Sequence, residues 1–201
     1  QELLERQFAK SINENVLDML NTRYVITNNK QGTSQNIQRR DRAAGNAWFV
    51  DQITFVKNNE EEMNAINSFE PKKEAFIHEE FRNKVDEKQL GRVTNANIEL
   101  TSYRPDHLIY EYSAPKDAMA VFSEIWYDKG WKAFVDGDEV PIVRANYVLR
   151  AAQLPGGKHK VEFKFEPKSY FIGENISLVA SIIMVFGLTL AIWRESRAKY
   201  R

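Results

Sequence analysis

Cysteine is absent, which excludes a disulfide framework, a thiolate metal site and a cysteine nucleophile. Histidine is nearly so. His78, His107 and His159 are scattered, match no zinc-ligand spacing and suggest no Ser/His/Asp arrangement. Neither sign of charge is in excess: 28 Lys+Arg stand against 28 Asp+Glu, which leaves no basic footprint for nucleic acid. No complete phosphate loop exists. Pro155-Gly156-Gly157-Lys158 has Ala152 where the first glycine belongs and His159 where Ser or Thr would hold magnesium. No motif calls for a cofactor or a metal, and no catalytic pair can be nominated. An initiator Met and a signal-type apolar segment are also missing near Gln1. Because the topology argued below requires export, the chain reads as the C-terminal piece of a longer membrane protein.

Long apolar runs are lacking, with one exception. Ile176 to Trp193 (ISLVASIIMVFGLTLAIW) carries no charge and, at about 1.5 Å per residue, approaches the hydrocarbon thickness of a bilayer. Tyr170 and Phe171 precede it, Trp193 closes it, and Arg194, Arg197, Lys199 and Arg201 follow, as interfacial aromatics and a cytoplasmic basic tail do. The expected division is an extracytoplasmic domain at 1–175, a transmembrane helix at 176–193 and a cytoplasmic tail at 194–201. A buried core helix is the alternative. Without the tail the chain holds 24 Lys+Arg against 27 Asp+Glu, a net −3.

Ahead of that run, Leu4, Phe8, Ile12, Val16 and Leu20 recur at i+4 and predict an amphipathic N-terminal helix. Thr22 to Thr27 reads as a strand, and Asn28 to Arg42 as a polar loop. Ala47 to Val56 reads as a strand interrupted at Asp51 and Gln52. Asn58 and Asn59 can cap a short helix whose first turn holds Glu60, Glu61 and Glu62 and whose inner face is Met63, Ile66 and Phe69. Glu74 to His78 is a further strand. From Val93 onward short alternating segments are punctuated by turn signals, among them Asp136-Gly137 and Pro155-Gly156-Gly157. The fold class is mainly β: an antiparallel sandwich, jelly-roll-like, with an N-terminal amphipathic helix and one further short helix.

Three sets of residues have a chemical reading beside a structural one. Asp136-Gly137-Asp138 has the spacing by which some sugar-nucleotide transferases chelate a divalent metal, but it sits where a hairpin wants Asp and Gly for backbone reasons. Arg39, Arg40 and Arg42 suit a phosphate or lipid headgroup, or else a solvated loop. Trp126, Tyr127, Trp131 and Tyr147, with Arg144 and Asn146, form the best candidate for holding a glycan, since a pyranose offers an apolar CH face and a hydroxyl rim. The competing reading makes these aromatics core, with Trp131 buried beside its hairpin.

The run from Phe122 to Tyr170, with Gly130-Trp131-Lys132-Ala133, Asp136-Gly137 and Arg144-Ala145-Asn146-Tyr147, resembles the C-terminal end of the YfhO family of bacterial membrane proteins. Leu20 to Ile26 and Gly45 to Val50 resemble the segments that open the same domain. Lys129 replaces the proline often found before the Gly-Trp pair. The resemblance implies a multi-spanning, GT-C-like glycosyltransferase of the bacterial cytoplasmic (inner) membrane, using a polyprenyl-phosphate sugar and an envelope glycan acceptor. Its essential acidic residue would lie upstream, so no catalytic residue carries over. The fragment is then a noncatalytic domain that positions the acceptor or braces the missing N-terminal transmembrane part. A glycan-binding module and a domain docking another envelope protein are the alternatives.

Overall fold

The computed structural model describes residues 2–8, 12–28, 35–88 and 90–199. Arg201 and residues 29–34 of the polar loop lie outside that set, as do the side chains of Phe171, Arg197 and Lys199.

Two sheets pack face to face. One is five-stranded, in the order β10 (Asp138–Val140), β9 (Trp131–Val135), β13 (Gly157–Phe165), β7 (His107–Ala114), β6 (Asn97–Arg104). The other is six-stranded, in the order β3 (Ala47–Val50), β8 (Ala118–Ile125), β12 (Leu149–Leu154), β11 (Val143–Ala145), β5 (Glu74–His78), β4 (Gln52–Val56). Between them lies a core of Leu108, Tyr110, Ala120, Phe122, Ala152, Leu154, Val161 and Phe163. Tyr110, Phe122 and Phe163 meet edge to face there, with centroids 5.0 Å, 4.7 Å and 6.1 Å apart.

A second core covers the other face of the six-stranded sheet. Met119 and Val121 of β8, Leu149 and Ala151 of β12, and Trp48 and Val50 of β3 pack there against Leu3, Val16, Met19, Met63 and Ile66 from the helices. This explains a contrast in the sequence. Strands β8 and β12 are buried on both faces over most of their length because both are covered, whereas β7 and β13 alternate because one face is wet.

The structure refines several expectations. The amphipathic N-terminal segment forms two helices, α1 (Glu2–Phe8) and α2 (Glu14–Met19), the second capped by Asn13, whose side chain accepts the amide N–H of Asn15 and Val16. Within the expected polar loop, Gln35–Arg39 is a strand, β2, paired with β1 (Tyr24–Asn28) in register Ile26↔Ile37. Ala47 to Val56 is not one interrupted strand: β3 and β4 lie at opposite edges of the six-stranded sheet. The chain passes from β4 through α3 (Asn59–Ala65) to β5, and β4 pairs with β5 in parallel, so this sheet is mixed. Asn58 caps α3 by accepting the Glu61 N–H.

Asp136-Gly137 makes the expected hairpin, joining β9 to β10 with φ of 49° and 102°. Pro155-Gly156-Gly157 instead carries the chain from one sheet to the other. A Cβ at Gly156 would meet the Lys116 Cα at 2.6 Å, so a side chain is excluded by close backbone approach.

After β13, α4 (Lys168–Lys199) runs as a single helix, entirely exposed over its apolar stretch and long and apolar enough to cross a membrane.

Candidate functional site

The end of the sandwich nearest α4 is built by the turn that precedes β9. Trp131 opens β9 and pairs with Phe165, the last residue of β13. The turn is clamped to the chain leading into α4: Glu166 N–H donates to Gly130 O at 2.6 Å. Gly130 has φ of 97°, and a Cβ there would lie 2.9 Å from the Phe165 ring and 3.0 Å from Pro167 Cβ. Only glycine fits both the conformation and the space.

Around this turn opens a cavity of about 210 Å³, with Trp126, Tyr127 and Trp131 in its wall together with Lys84, Lys132, Asp128, Glu139, Ile142 and Arg150. Trp131 is half-buried, because one side of its indole forms the wall while it packs 5.2 Å from Phe165. The expectation of a buried Trp131 is corrected to that extent. Trp126 is fixed by its backbone N–H, which donates to Val148 O at 2.6 Å, and its ring packs edge to face on Phe81 at 5.4 Å. Tyr127 is exposed and leans on Phe165 at 6.3 Å.

Arg150 is the residue that sequence reasoning missed. It stands in a largely buried strand, LRAAQL, on the face that Ala152 and Leu154 turn to the inter-sheet core. Its guanidinium carbon lies 4.0 Å over the Trp131 ring, and its Nε donates to Ile125 O at 3.1 Å. A charged residue at a core register was the available signal.

The other half of the sequence-derived set is elsewhere. Arg144 Nη2 donates to Glu62 Oε2 at 2.8 Å and to Asn59 Oδ1 at 2.7 Å. Tyr147 N–H donates to Glu62 Oε1 at 2.8 Å, and its hydroxyl to Glu2 Oε2 at 2.7 Å. Asn146 is buried and accepts the Phe76 N–H at 2.9 Å. Asn146 and Tyr147 turn the chain between β11 and β12 with φ of 50° and 71°. These three tie the loop to α3 and β5. Burial raises the Glu62 carboxyl above the usual carboxylate range, against the pull of Arg144 and the Tyr147 N–H.

The arginine set is engaged by carboxylates of this chain. Arg40 pairs with Glu14 and with Asp18, Arg42 reaches Asp18 at 3.1 Å, and Arg39 reaches Asp41 at 3.2 Å. Asp136 accepts the Lys160 N–H at 3.0 Å and lies 2.6 Å from His159 Nδ1, which together hold its carboxyl below the usual range. Asp138 opens β10, opposite Val135. Among the described residues no group of three His, Asp or Glu side chains is placed to hold a metal. A broader groove of about 600 Å³ crosses the outer face of the five-stranded sheet, but the one Tyr, Phe or Trp among its described residues, Tyr112, is buried in the core.

A β-sandwich whose last strand leads directly into a membrane-length apolar helix, with an aromatic cavity at that junction, defines a membrane-attached domain. Residues 80–177 match the family model described as "Bacterial membrane protein YfhO", so this part of the chain is similar to that family of membrane proteins. The match contains the whole five-stranded sheet, the cavity wall and the start of α4. The chain is 27% identical over 85 residues to "Uncharacterized protein YfhO" of Bacillus subtilis (strain 168), an overlap of 42% of this chain and 10% of that protein. No solved structure matches.

Proposed function

We propose that residues 1–175 form a noncatalytic extracytoplasmic domain that holds a sugar unit of an envelope glycan at the membrane surface, with 176–193 spanning the membrane and 194–201 on the cytoplasmic side. The parent protein is a polytopic, GT-C-like glycosyltransferase that draws on a polyprenyl-phosphate sugar, and this domain presents the acceptor. The observation that carries the reading is the junction itself. Trp131 pairs with Phe165 shortly before α4, so a ligand against Trp126, Tyr127 and Trp131 would sit beside the helix that leads into the membrane span. Aromatic walls with polar groups at the rim are what a pyranose requires.

The test is a glycan array probed with the 201-residue chain in nanodiscs, followed by titration of the hits using tryptophan fluorescence. Binding that is lost in a folded Tyr127→Ala variant supports the reading. A folded wild type that binds no glycan removes it.

Bracing is the second reading, favoured by the β1–β2 hairpin. Ile26 and Ile37 pair across it and are 59% and 63% exposed. Their occupant would be the membrane-embedded remainder of the parent protein. A photo-crosslinker at position 37 in the full-length protein should then capture that part, and no intramolecular adduct would reject it.

A further inference from the structure

We propose that the cavity at the Trp131 turn takes an anionic saccharide, with the sugar ring on Trp126, Tyr127 and Trp131 and its oxyanion, a carboxylate or a phosphate, seated on Arg150. The inference rests on the glycan reading above and adds the charge of the ligand.

Arg150 is 4% exposed and lies at the edge of an apolar core. A guanidinium offers five N–H donors and stays charged at neutral pH. One of them, on Nε, reaches Ile125 O, while Nη1 is buried with no partner. Glu124 is near enough to be felt electrostatically, yet among the described residues no carboxylate forms an ion pair with Arg150. Arg150 is thus a buried cation with neither a contacting counter-charge nor a full set of acceptors, an arrangement that is costly when nothing completes it. Its planar face is held by Trp131 at 4.0 Å, and Phe163 lies 5.8 Å away, so the fork is fixed in orientation before any ligand arrives.

What completes it must reach the cavity wall to which Arg150 contributes. Carboxylate and phosphate oxygens match the guanidinium fork and form the strongest hydrogen bonds available to it. Lys84 and Lys132 add positive charge to the wall, while Asp128 and Glu139 set carboxylates in it that hydroxyls can address. At about 210 Å³ the cavity is smaller than the roughly 300–1,000 Å³ that encloses drug-sized ligands, so it admits one ring-sized unit.

The experiment uses the 201-residue chain in nanodiscs of zwitterionic lipid, with tryptophan fluorescence titrated by methyl glucoside, glucuronate and glucose 1-phosphate. The two anionic probes should bind about tenfold more tightly than the neutral one, and Arg150→Lys should abolish most of that preference. Equal binding of neutral and anionic sugars, or an unchanged preference in Arg150→Lys, overturns the anionic seat while leaving the glycan reading intact. Failure of all three probes overturns both. If Arg150→Lys does not fold, the Arg150 Nε–H resonance of the wild type decides: it should move with glucuronate and not with methyl glucoside, and immobility rejects the seat. Repeating the titration with anionic phospholipid in the disc separates the two sources. Lost response to glucose 1-phosphate shows a lipid headgroup phosphate in the seat, and a retained response shows a seat for a soluble or polymeric saccharide.

Discussion

Arg144 and Glu62 form a 2.8 Å ion pair in which the Glu62 side chain is wholly buried, although 82 positions separate them in the chain. The same carboxylate accepts the Tyr147 N–H at 2.8 Å, so one side chain of α3 fixes both the strand β11 and the left-handed turn that follows it. Arg144→Ala leaves a buried carboxylate without its counter-charge. That change should cost about 3–5 kcal/mol in urea unfolding, and Glu62→Gln distinctly less, because the amide still accepts from Tyr147. Equal costs would show that the pair carries no net electrostatic weight.

Acid stability should depend on a different glutamate. Glu162 on β13 is held at about 2 by the Lys160 ammonium, His107 and Lys164, at 2.6 Å, 2.8 Å and 3.3 Å. Its folded value is depressed, so its contribution is complete above the ordinary value of 4.5 and is lost as pH falls toward 2. Glu62 works in the opposite sense: raised by burial, it favours the folded state most below its unfolded value and loses that contribution as pH rises through its folded one. Glu162→Gln should therefore flatten the loss of stability between pH 4.5 and 2, measured as midpoint against pH. An unaltered acid limb would assign that limb to other carboxylates.

Two glycines separate steric from conformational constraint. Gly137 has φ of 102° and open space where a Cβ would point, whereas a Cβ on Gly156 would face the Lys116 backbone at 2.6 Å. Gly137→Ala should cost about 1 kcal/mol from the left-handed backbone alone. Gly156→Ala must move a backbone segment between sheets and should cost about 1–3 kcal/mol. Thermal unfolding of the two variants side by side tests the order, and a reversed order would place the strain in the hairpin.

Much of this architecture is legible from periodicity. The alternation Val161, Phe163, Phe165 places β13 on one wet sheet, and the unbroken AMAVF of β8 marks a strand covered on both faces. Strand β2 was not legible, because QNIQR has one apolar residue and is held by backbone pairing with β1. The split of AWFVDQITFV into two edge strands depends on which neighbours are free in the sheet, which no local pattern encodes. The site divided in the same way. Trp126, Tyr127 and Trp131 are neighbours in sequence and in space, while Arg144 on β11 and Tyr147 in the positive-φ turn after it engage Glu62 of α3, and Asn146 engages β5. Arg150, in contrast, follows from strand parity once β12 is known to be buried on both faces.

The inter-sheet core should tolerate little. Phe122 is fully buried between Tyr110 and Phe163, and truncation to Ala removes both edge-to-face contacts as well as the transfer of the ring from water. Phe122→Ala should cost about 3–5 kcal/mol by urea denaturation. Because the same core seats Phe163 beneath Arg150, the variant should also loosen the cavity, whereas a stability loss under about 1 kcal/mol would mean that the two sheets do not depend on this cluster.

Tyr127 offers the cleanest separation of binding from folding. It is 52% exposed, and among the described residues its one aromatic ring contact is the tilted lean on Phe165 at 6.3 Å. Tyr127→Ala should therefore change stability by less than about 1 kcal/mol. Trp131→Ala should not be so mild, because the indole supports both Arg150 at 4.0 Å and Phe165 at 5.2 Å, and its loss leaves the guanidinium without its stacking face. If a sugar ring rests on these aromatics, both variants lose affinity by about tenfold or more, since an aromatic face under a ligand contributes on the order of 1–2 kcal/mol. Only Trp131→Ala should also destabilise the protein. Parallel titration and unfolding curves decide it: Tyr127→Ala with wild-type affinity would take the pyranose off this ring, and Tyr127→Ala with lowered stability would make it part of the core.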